Sequence, residues 1–322
     1  MDGSRYTHDS PPPQGLVVSN NKVTVIGSTN WDICLYLPSL PTPGETVGGG
    51  DLKSNLGGKG ANQAAAAHLA GAETTFISCL GDDGSSADIL AQFETLGLPA
   101  HGITRIPSTP TGTACIFIDA NGENCIGLTA GANSALTPAL LDEKSGLLTS
   151  ADVVALQLEI PMETVLHAAT LASAQGQLLI LNPAPAQSLP EEIYQHITLL
   201  TPNRGELATL TGMPTANATE ILAAASALLA KGVSAVVVTL GGEGAMLVTA
   251  GGEKHFPAQS ADVVDTTAAG DCFNGYLAAH LAAHGMADIE HAITIAIAAS
   301  AIAVSRPGAV VSLPRAEEVT AQ

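Results

Sequence analysis

The segment DTTAAGDCFNG, Asp265 to Gly275, sets an acid, Asp271, directly after three small residues, Ala268, Ala269 and Gly270. Small residues let the backbone turn tightly and leave N–H groups free where a helix begins. Such donors, with the positive end of the helix dipole, hold an anion such as a phosphoryl group in transfer. A carboxylate at the lip of that pocket can take the proton of an attacking hydroxyl. An acid in the first turn of a helix also has a plainer use, as a stabilising partner of the dipole. Spacing alone leaves both readings open.

A second segment, NLGGKGANQAAAAHLA from Asn55 to Ala70, is not a Walker A loop, because Lys53 stands where its first glycine must be. Gly57 and Gly58 permit a ligand to approach the backbone, with Lys59 and Asn62 donating to its oxygens. The plainer reading is a glycine turn into an alanine helix with Lys59 exposed. No G-x-G-x-x-G follows the first strand, which counts against a nicotinamide dehydrogenase. His280 and His284 stand four apart, a metal-ligand spacing, but no Glu follows His280, and an ordinary surface pair is the better reading. Cys272, beside the acid at a helix start, is a candidate for a lowered thiol pKa and for oxidation.

These groups need a scaffold. Apolar, β-branched runs at Lys22–Ser28, Thr74–Leu80, Val153–Glu159, Leu178–Asn182, Ile197–Thr201 and Ala235–Leu240 read as buried strands. Helical stretches Ala61–Ala70, Ser86–Leu96, Met162–Ala174 and Ala218–Ala230 alternate with them, and Gly270–Ala283 and Asp288–Val304 close the chain. The alternation predicts an α/β fold, a doubly wound, mainly parallel sheet flanked by helices. Trp31–Leu37 and Thr46–Leu52, then Thr113–Asp119 and Asn124–Leu128 around the turn pair Asn121-Gly122, lack intervening helices. They read as a small inserted β-sheet lid, at about 31–56 and 111–128, or alternatively as edge strands of the main sheet. Polar residues cluster at strand ends: Asn30 and Asp32, Glu159, Asn182, Asn203, Thr239 and Gly241. In open α/β sheets ligands bind beyond those ends, and several polar side chains on one rim suit a polyol.

Composition narrows the class. With 11 Lys and Arg against 30 Asp and Glu among 322 residues, the net charge of −19 repels a phosphate backbone and argues against nucleic-acid binding. Five scattered cysteines without a C-x-x-C pair fit reduced thiols in a cytoplasmic protein. The longest apolar run, Ala292–Val304, reads as a buried helix too short for a bilayer, so no membrane role is expected. Residues 1–21 read as a disordered extension and 22–322 as one body.

In order along the chain, GSTNWD, PTPGET, GGKGANQAAAA, GDDG, GANSALTP, QLEIP, LNPAPA, TPNRGE, TLGGEGA and DTTAAGDCFNG resemble the PfkB family of carbohydrate kinases, from about Val23 to Pro314. The resemblance, to the ribose-phosphorylating members above all, implies ATP-dependent phosphorylation of the O5 hydroxyl of D-ribose. Asp271 would be the base and the Ala268–Gly270 backbone the anion hole. Asn30, Asp32, Gly58, Lys59, Asn62 and Glu159 match sugar positions; Asp32 would accept from hydroxyls while Lys59 and Asn62 donate. Asn203, the run Thr239, Leu240, Gly241, Gly242, Glu243 and Gly244, and Gly270 match ATP positions. Asn203 and Glu206 match the pattern that organises magnesium through water. Asp265, Thr267, Ala303, Arg306, Gly308 and Ser312 match a site for activating potassium, beside Pro307. A homodimer through the lid strands is implied as well. Trp31 is expected to pack, against the body or across that dimer, rather than to stack on sugar. A family member acting on 2-deoxyribose, a ketose or a nucleoside is the alternative, and a non-catalytic sugar-binding protein of the same fold is the alternative from another class.

Overall fold

The structure, a computed structural model, describes residues 21–320, so the expected extension lies outside the described residues except for Asn21. The chain begins β1 (Lys22–Ile26), β2 (Asn30–Tyr36), β3 (Asp51–Gly57), α1 (Lys59–Leu69), β4 (Glu73–Leu80), α2 (Gly84–Leu96) and β5 (Ile103–Arg105). It continues β6 (Gly112–Ile118), β7 (Asn124–Thr129), α3 (Pro138–Asp142), α4 (Ser145–Thr149), β8 (Val153–Leu156), α5 (Met162–Ala174) and β9 (Leu178–Leu181). Next come β10 (Leu199–Leu200), α6 (Arg204–Thr211), α7 (Ala218–Ala230), β11 (Ala235–Thr239), β12 (Ala245–Thr249) and β13 (Gly252–Phe256). Helices α8 (Ala269–His284), α9 (Ile289–Ala303) and α10 (Ala316–Thr320) close it.

Nine strands form the main sheet in the order β13-β12-β11-β10-β9-β8-β1-β4-β5. From β11 to β5 every pairing is parallel; β12 and β13 add an antiparallel margin. Strand β8, VVAL, is buried along its whole length, as a parallel strand covered on both faces must be. Successive residues serve opposite layers: Val23 and Val25 join the core beneath α1, α8 and α9, while Ile26 joins the one beneath α5 and α7.

The antiparallel margin was not anticipated. The second strand, GEKHF, is mostly exposed and has no apolar alternation to betray it. Met286–Ala303 is 18 residues with a mean hydropathy of 1.4, enough by length and composition to cross a membrane, unlike the shorter apolar run 292–304 expected from the sequence. Its apolar positions Ala292, Ile293, Ala296, Ala299 and Ile302 are buried in the core shared with α8.

The second sheet has the order β3-β2-β6-β7 and shares no pairing with the first, so it is a separate lid and not a sheet margin. Its strand β3 is Asp51–Gly57, five residues beyond the start expected at Thr46. The β6–β7 turn forms where expected: Asp119 Oδ1 accepts from the N–H groups of Asn121 at 2.8 Å and Glu123 at 3.0 Å, and Gly122 takes a φ of +83°.

Helices α1 and α8 cross closely because their contact residues are small. A Cβ on Gly275 would lie 2.4 Å from Ala66 Cβ and 2.7 Å from the Gln63 carbonyl oxygen. Gly275→Ala is expected to cost about 1–3 kcal/mol through overpacking, read as a lowered Tm by calorimetry. An unchanged Tm would contradict so tight a crossing. This contact sets the distance between Asp271 on α8 and the side chains of α1.

Candidate active site

Helix α8 starts from Ala268, which adopts φ +59°, ψ 9°, a left-handed conformation uncommon for a residue with a Cβ. The turn lets Cys272 N–H reach the Ala268 carbonyl at 2.8 Å, while Ala269 N–H bonds to the Thr266 carbonyl at 3.2 Å. Of the three expected anion-hole residues, Ala269 therefore has its donor occupied. Gly270 and Asp271 have backbone N–H groups with no acceptor among the described residues, as the first turn of a helix leaves them. Asp271 itself is only 6% exposed. Its Oδ2 accepts from Asn62 Nδ2 at 2.8 Å and its Oδ1 from Gln63 Nε2 at 3.1 Å. Burial raises the carboxyl above its usual range, against the lowering influence of Lys59 and of the two amide bonds; Glu159 adds to the rise.

The residues that match sugar positions meet at the root of the lid. Asn30, the first residue of β2, is buried and accepts through Oδ1 from Asn133 Nδ2 at 2.8 Å. Asp32, two residues on, shares its face of the strand. Gly57 pairs with Asn30 across the strands, and a Cβ on Gly57 would fall 2.0 Å from Asp32 Oδ2. Gly58, at φ +89°, admits the crossing chain, since a Cβ there would lie 2.8 Å from Asn30 N. Glu159 Oε2 accepts from Ser28 Oγ at 2.5 Å and from Lys59 N–H at 3.0 Å, tying three segments together. Burial, then Glu159 and Asp271, push the Asp32 carboxyl up to about 7. Burial opposes the charge on Lys59, but Asp271, Glu159 and Glu206 outweigh it and hold the ammonium above the ordinary lysine range. Asn62 differs from expectation: its amide hydrogen faces Asp271, and its Oδ1 is a buried acceptor without a partner.

A cavity of about 460 Å³ lies on the other side of the α8 N-terminus, lined by Thr239, Gly241, Gly242, Gly244, Ala269 and Gly270 among others. Gly244 is confined to glycine by φ +96° and by a would-be Cβ 2.0 Å from the Phe256 carbonyl oxygen. Leu240 and Glu243, expected at the nucleotide, do not line it; Leu240 is buried and Glu243 pairs with Arg204 at 2.7 Å. Asn203 does not line it either. The far wall, Val263, Phe273, Ile297 and Val304 with small neighbours, was not foreseen. It comes from a loop and from helix positions that read simply as core.

The sequence profile of the pfkB family carbohydrate kinases matches residues 20–316. The chain belongs to the PfkB family of carbohydrate kinases. A ribokinase of Haemophilus influenzae is 37% identical over 296 residues, 92% of this chain and 96% of that protein. A deoxyribokinase of Salmonella typhimurium is 36% identical over 297 residues, again 92% and 96%. In a bifunctional ribokinase/ribose-5-phosphate isomerase A of Fructilactobacillus sanfranciscensis the identity is 40% over 299 residues, 92% of this chain but 55% of that protein, so the chain spans about half of it. The structure of Arabidopsis thaliana ribokinase complexed with ribose and ATP superposes with a TM-score of 0.87 at 31% identity, covering 93% of this chain and 97% of the other.

In this PfkB kinase Asn203 and Glu206 form a capping box. Asn203 Oδ1 accepts from Glu206 N–H at 2.9 Å, while Glu206 accepts from Asn203 N–H at 2.8 Å and from its Nδ2 at 2.9 Å. Burial raises the Glu206 carboxyl, opposed by the Asn203 bond and Lys59. The loops matching the potassium site are adjacent: Asp265 accepts from Thr267 N–H and Gly308 N–H, both at 2.8 Å, and its own N–H reaches the Val304 carbonyl at 3.1 Å. The Ala303 carbonyl accepts from Arg306 N–H at 3.1 Å, the Arg306 guanidinium turns away to Glu318, and Ser312 is buried.

Position bears on three further sequence readings. Cys272 is fully buried, and burial with the neighbouring Asp271 raises its thiol pKa, the reverse of the expected activation. Trp31 follows Asn30 on β2 and so projects to the opposite face from Asp32, where it packs on the main core. His280 meets Asp288 at 2.6 Å and stacks near His284, and no metal-binding cluster of three or more such side chains occurs among the described residues.

Proposed function

We propose that this kinase transfers the γ-phosphoryl group of ATP to the O5 hydroxyl of D-ribose, with Asp271 as general base. The observation that carries the reading is the position of Asp271. It lies between the lid-root rim of Asn30, Asp32, Lys59 and Glu159 and the cavity whose wall includes Gly270, its own neighbour. O5 bonds to the γ-phosphorus as the bond to the β–γ bridging oxygen breaks; ADP departs and the O5 proton passes to Asp271. The free N–H groups of Gly270 and Asp271, with charged Lys59, offset the charge on the phosphoryl oxygens. Asp32 accepts from sugar hydroxyls, and the unpartnered Asn62 Oδ1 supplies a further acceptor beside the base.

A divalent magnesium ion would be held through its waters by Glu206, whose two oxygens already accept from Asn203 and so suit outer contacts better than direct ligation, and would supply positive charge for the phosphates. The Asp265–Thr267 and Ala303–Ser312 loops, joined by the bond from Gly308 N–H to Asp265 and carrying carboxylate, hydroxyl and carbonyl oxygens, support a site for a monovalent cation such as potassium. The exposed apolar side chains of the lid, Leu52, Ile126 and Leu128, support a homodimer formed lid to lid. Five free thiols suit the reducing cytoplasm.

The test is kcat/KM for ribose, 2-deoxyribose, fructose and adenosine. Losing a hydroxyl bonded to a charged partner costs about 1.5–3 kcal/mol, so ribose should lead 2-deoxyribose by roughly ten- to a hundredfold. Equal or better use of 2-deoxyribose would move the reading to a deoxyribokinase. ADP formation with none of the four would revive the non-catalytic reading.

A further inference from the structure

Two glutamines lie buried behind Asp271 and line neither the cavity beside Asn30 and Glu159 nor the one beside Gly270. Gln63 is 1% exposed and Gln157 is 0%. Gln157 Nε2 donates to Gln63 Oε1 at 2.7 Å, and Gln63 Nε2 donates to both Asp271 Oδ1 at 3.1 Å and Asn182 Oδ1 at 3.2 Å. Asn182 Nδ2 reaches the Thr201 carbonyl at 3.1 Å. Thr201 Oγ1 donates to Asn274 Oδ1 at 2.6 Å, and Asn274 Nδ2 donates to the Gly270 carbonyl at 2.8 Å. The circuit thus ties the carboxylate and the turn before it to the same set of buried amides.

We propose that Gln63 is a positioning residue for the phosphoryl transfer: oriented by Gln157, it fixes Asp271 Oδ1 and thereby aims the carboxylate at the sugar hydroxyl. This rests on Asp271 being the base. An ionised carboxylate only accepts, so the amide nitrogen of Gln63 must face it, and the amide oxygen needs a donor behind it. Gln157 is that donor. Its own Oε1 is buried without a partner, a defect that costs folding free energy. Gly27 makes room for this oxygen, since a Cβ there would lie 2.0 Å from it. A fully buried glutamine with one end unsatisfied is poor structural design, and the work of its other end is to orient Gln63.

The charged groups around Asp271 make the amide bond consequential. Lys59 on α1 favours the ionised carboxylate, whereas Glu159 beyond β8, Asp32 on β2 and Glu206 on α6 are like charges. Without Gln63 one oxygen of the base loses its donor and the carboxylate is free to rotate. The proton should then bind more readily, because a bond to the charged form has been removed.

Gln63→Met keeps the length of the side chain and removes the amide. Its expected effects are a fall in kcat of roughly ten- to a hundredfold, an acid limb of the kcat–pH profile displaced to higher pH, and little change in KM for ribose or ATP. Gln157→Met should displace the limb in the same direction by less, with little change in Tm, because the orphaned Gln157 oxygen goes while Gln63 Oε1 loses its donor. A folded Gln63→Met enzyme with wild-type kcat and limb, or with a change in KM alone, overturns the proposal. If Gln63→Met does not fold, an unmoved limb in Gln157→Met overturns it. Asp271→Asn separates the two levels. An active Asp271→Asn sinks the base itself, whereas an inactive one beside a normal Gln63→Met sinks only the positioning role.

Discussion

Asp271→Asn is expected to lower kcat by at least roughly 10²–10⁴-fold, the usual loss when a general base is removed, with both KM values close to wild type. The substitution keeps the shape of the side chain but not its ability to take a proton at neutral pH. Part of the cost to the fold is offset. Asn62 and Gln63 both donate to the carboxylate, so the new amide must turn its nitrogen toward one of them. Against that, a buried charge has been removed from among Glu159, Asp32 and Glu206. Tm should therefore change little, and the kinetic loss can be read as chemistry. A steady-state rate near wild type with ribose and ATP would exclude Asp271 as the base.

Asp32→Asn should act on binding. Asp32 accepts from sugar hydroxyls in the proposed complex, and an amide offers one acceptor fewer and no charge. Two charge-assisted bonds at about 1.5–3 kcal/mol each imply a loss in kcat/KM of roughly 10²–10⁴-fold, expressed mostly in KM. The wild-type enzyme should show the same dependence through pH. The folded-state pKa of Asp32 is raised to about 7, so the carboxylate is present above that value and is lost as pH falls through it. If only the ionised form binds sugar, KM for ribose rises about tenfold between pH 8 and pH 6. In Asp32→Asn that rise should vanish. A KM as pH-dependent in the variant as in the wild type would assign the titration to another group.

The parallel sheet was legible because its strands are short, buried on both faces and rich in Val, Ile and Leu. Strand β3 was misplaced because DLKSN is polar and exposed, while TVGGG before it looked extended and is loop. The acid at the head of α8 stood out by its small neighbours. Gln63 and Gln157 did not, since a glutamine in an alanine-rich helix or after a strand reads as surface until its burial is known. The capping role of Glu206 was hidden for the opposite reason: N-x-x-E already had a functional reading, and a helix start satisfies it equally. The far wall of the cavity beside Gly270 is built from Ala, Val, Ile and Phe, residue types that carry no chemical signal at all.

The lid is anchored at its inner end and free at its outer one. Asn30 is fastened to the body through Asn133, whereas Asp32 is locked into the strand ladder between Asn55 on β3 and Ala114 on β6. The small sheet is thus a lever with its fulcrum inside the proposed sugar site. Any swing of its outer end must carry Asp32 toward or away from Asp271, so the gap a sugar has to span and the angle of the sheet are one coordinate. If sugar binds at Asp32 as proposed, a contact made farther along β7, at Ile126, would be felt as a change in sugar affinity without any signal having to cross the core.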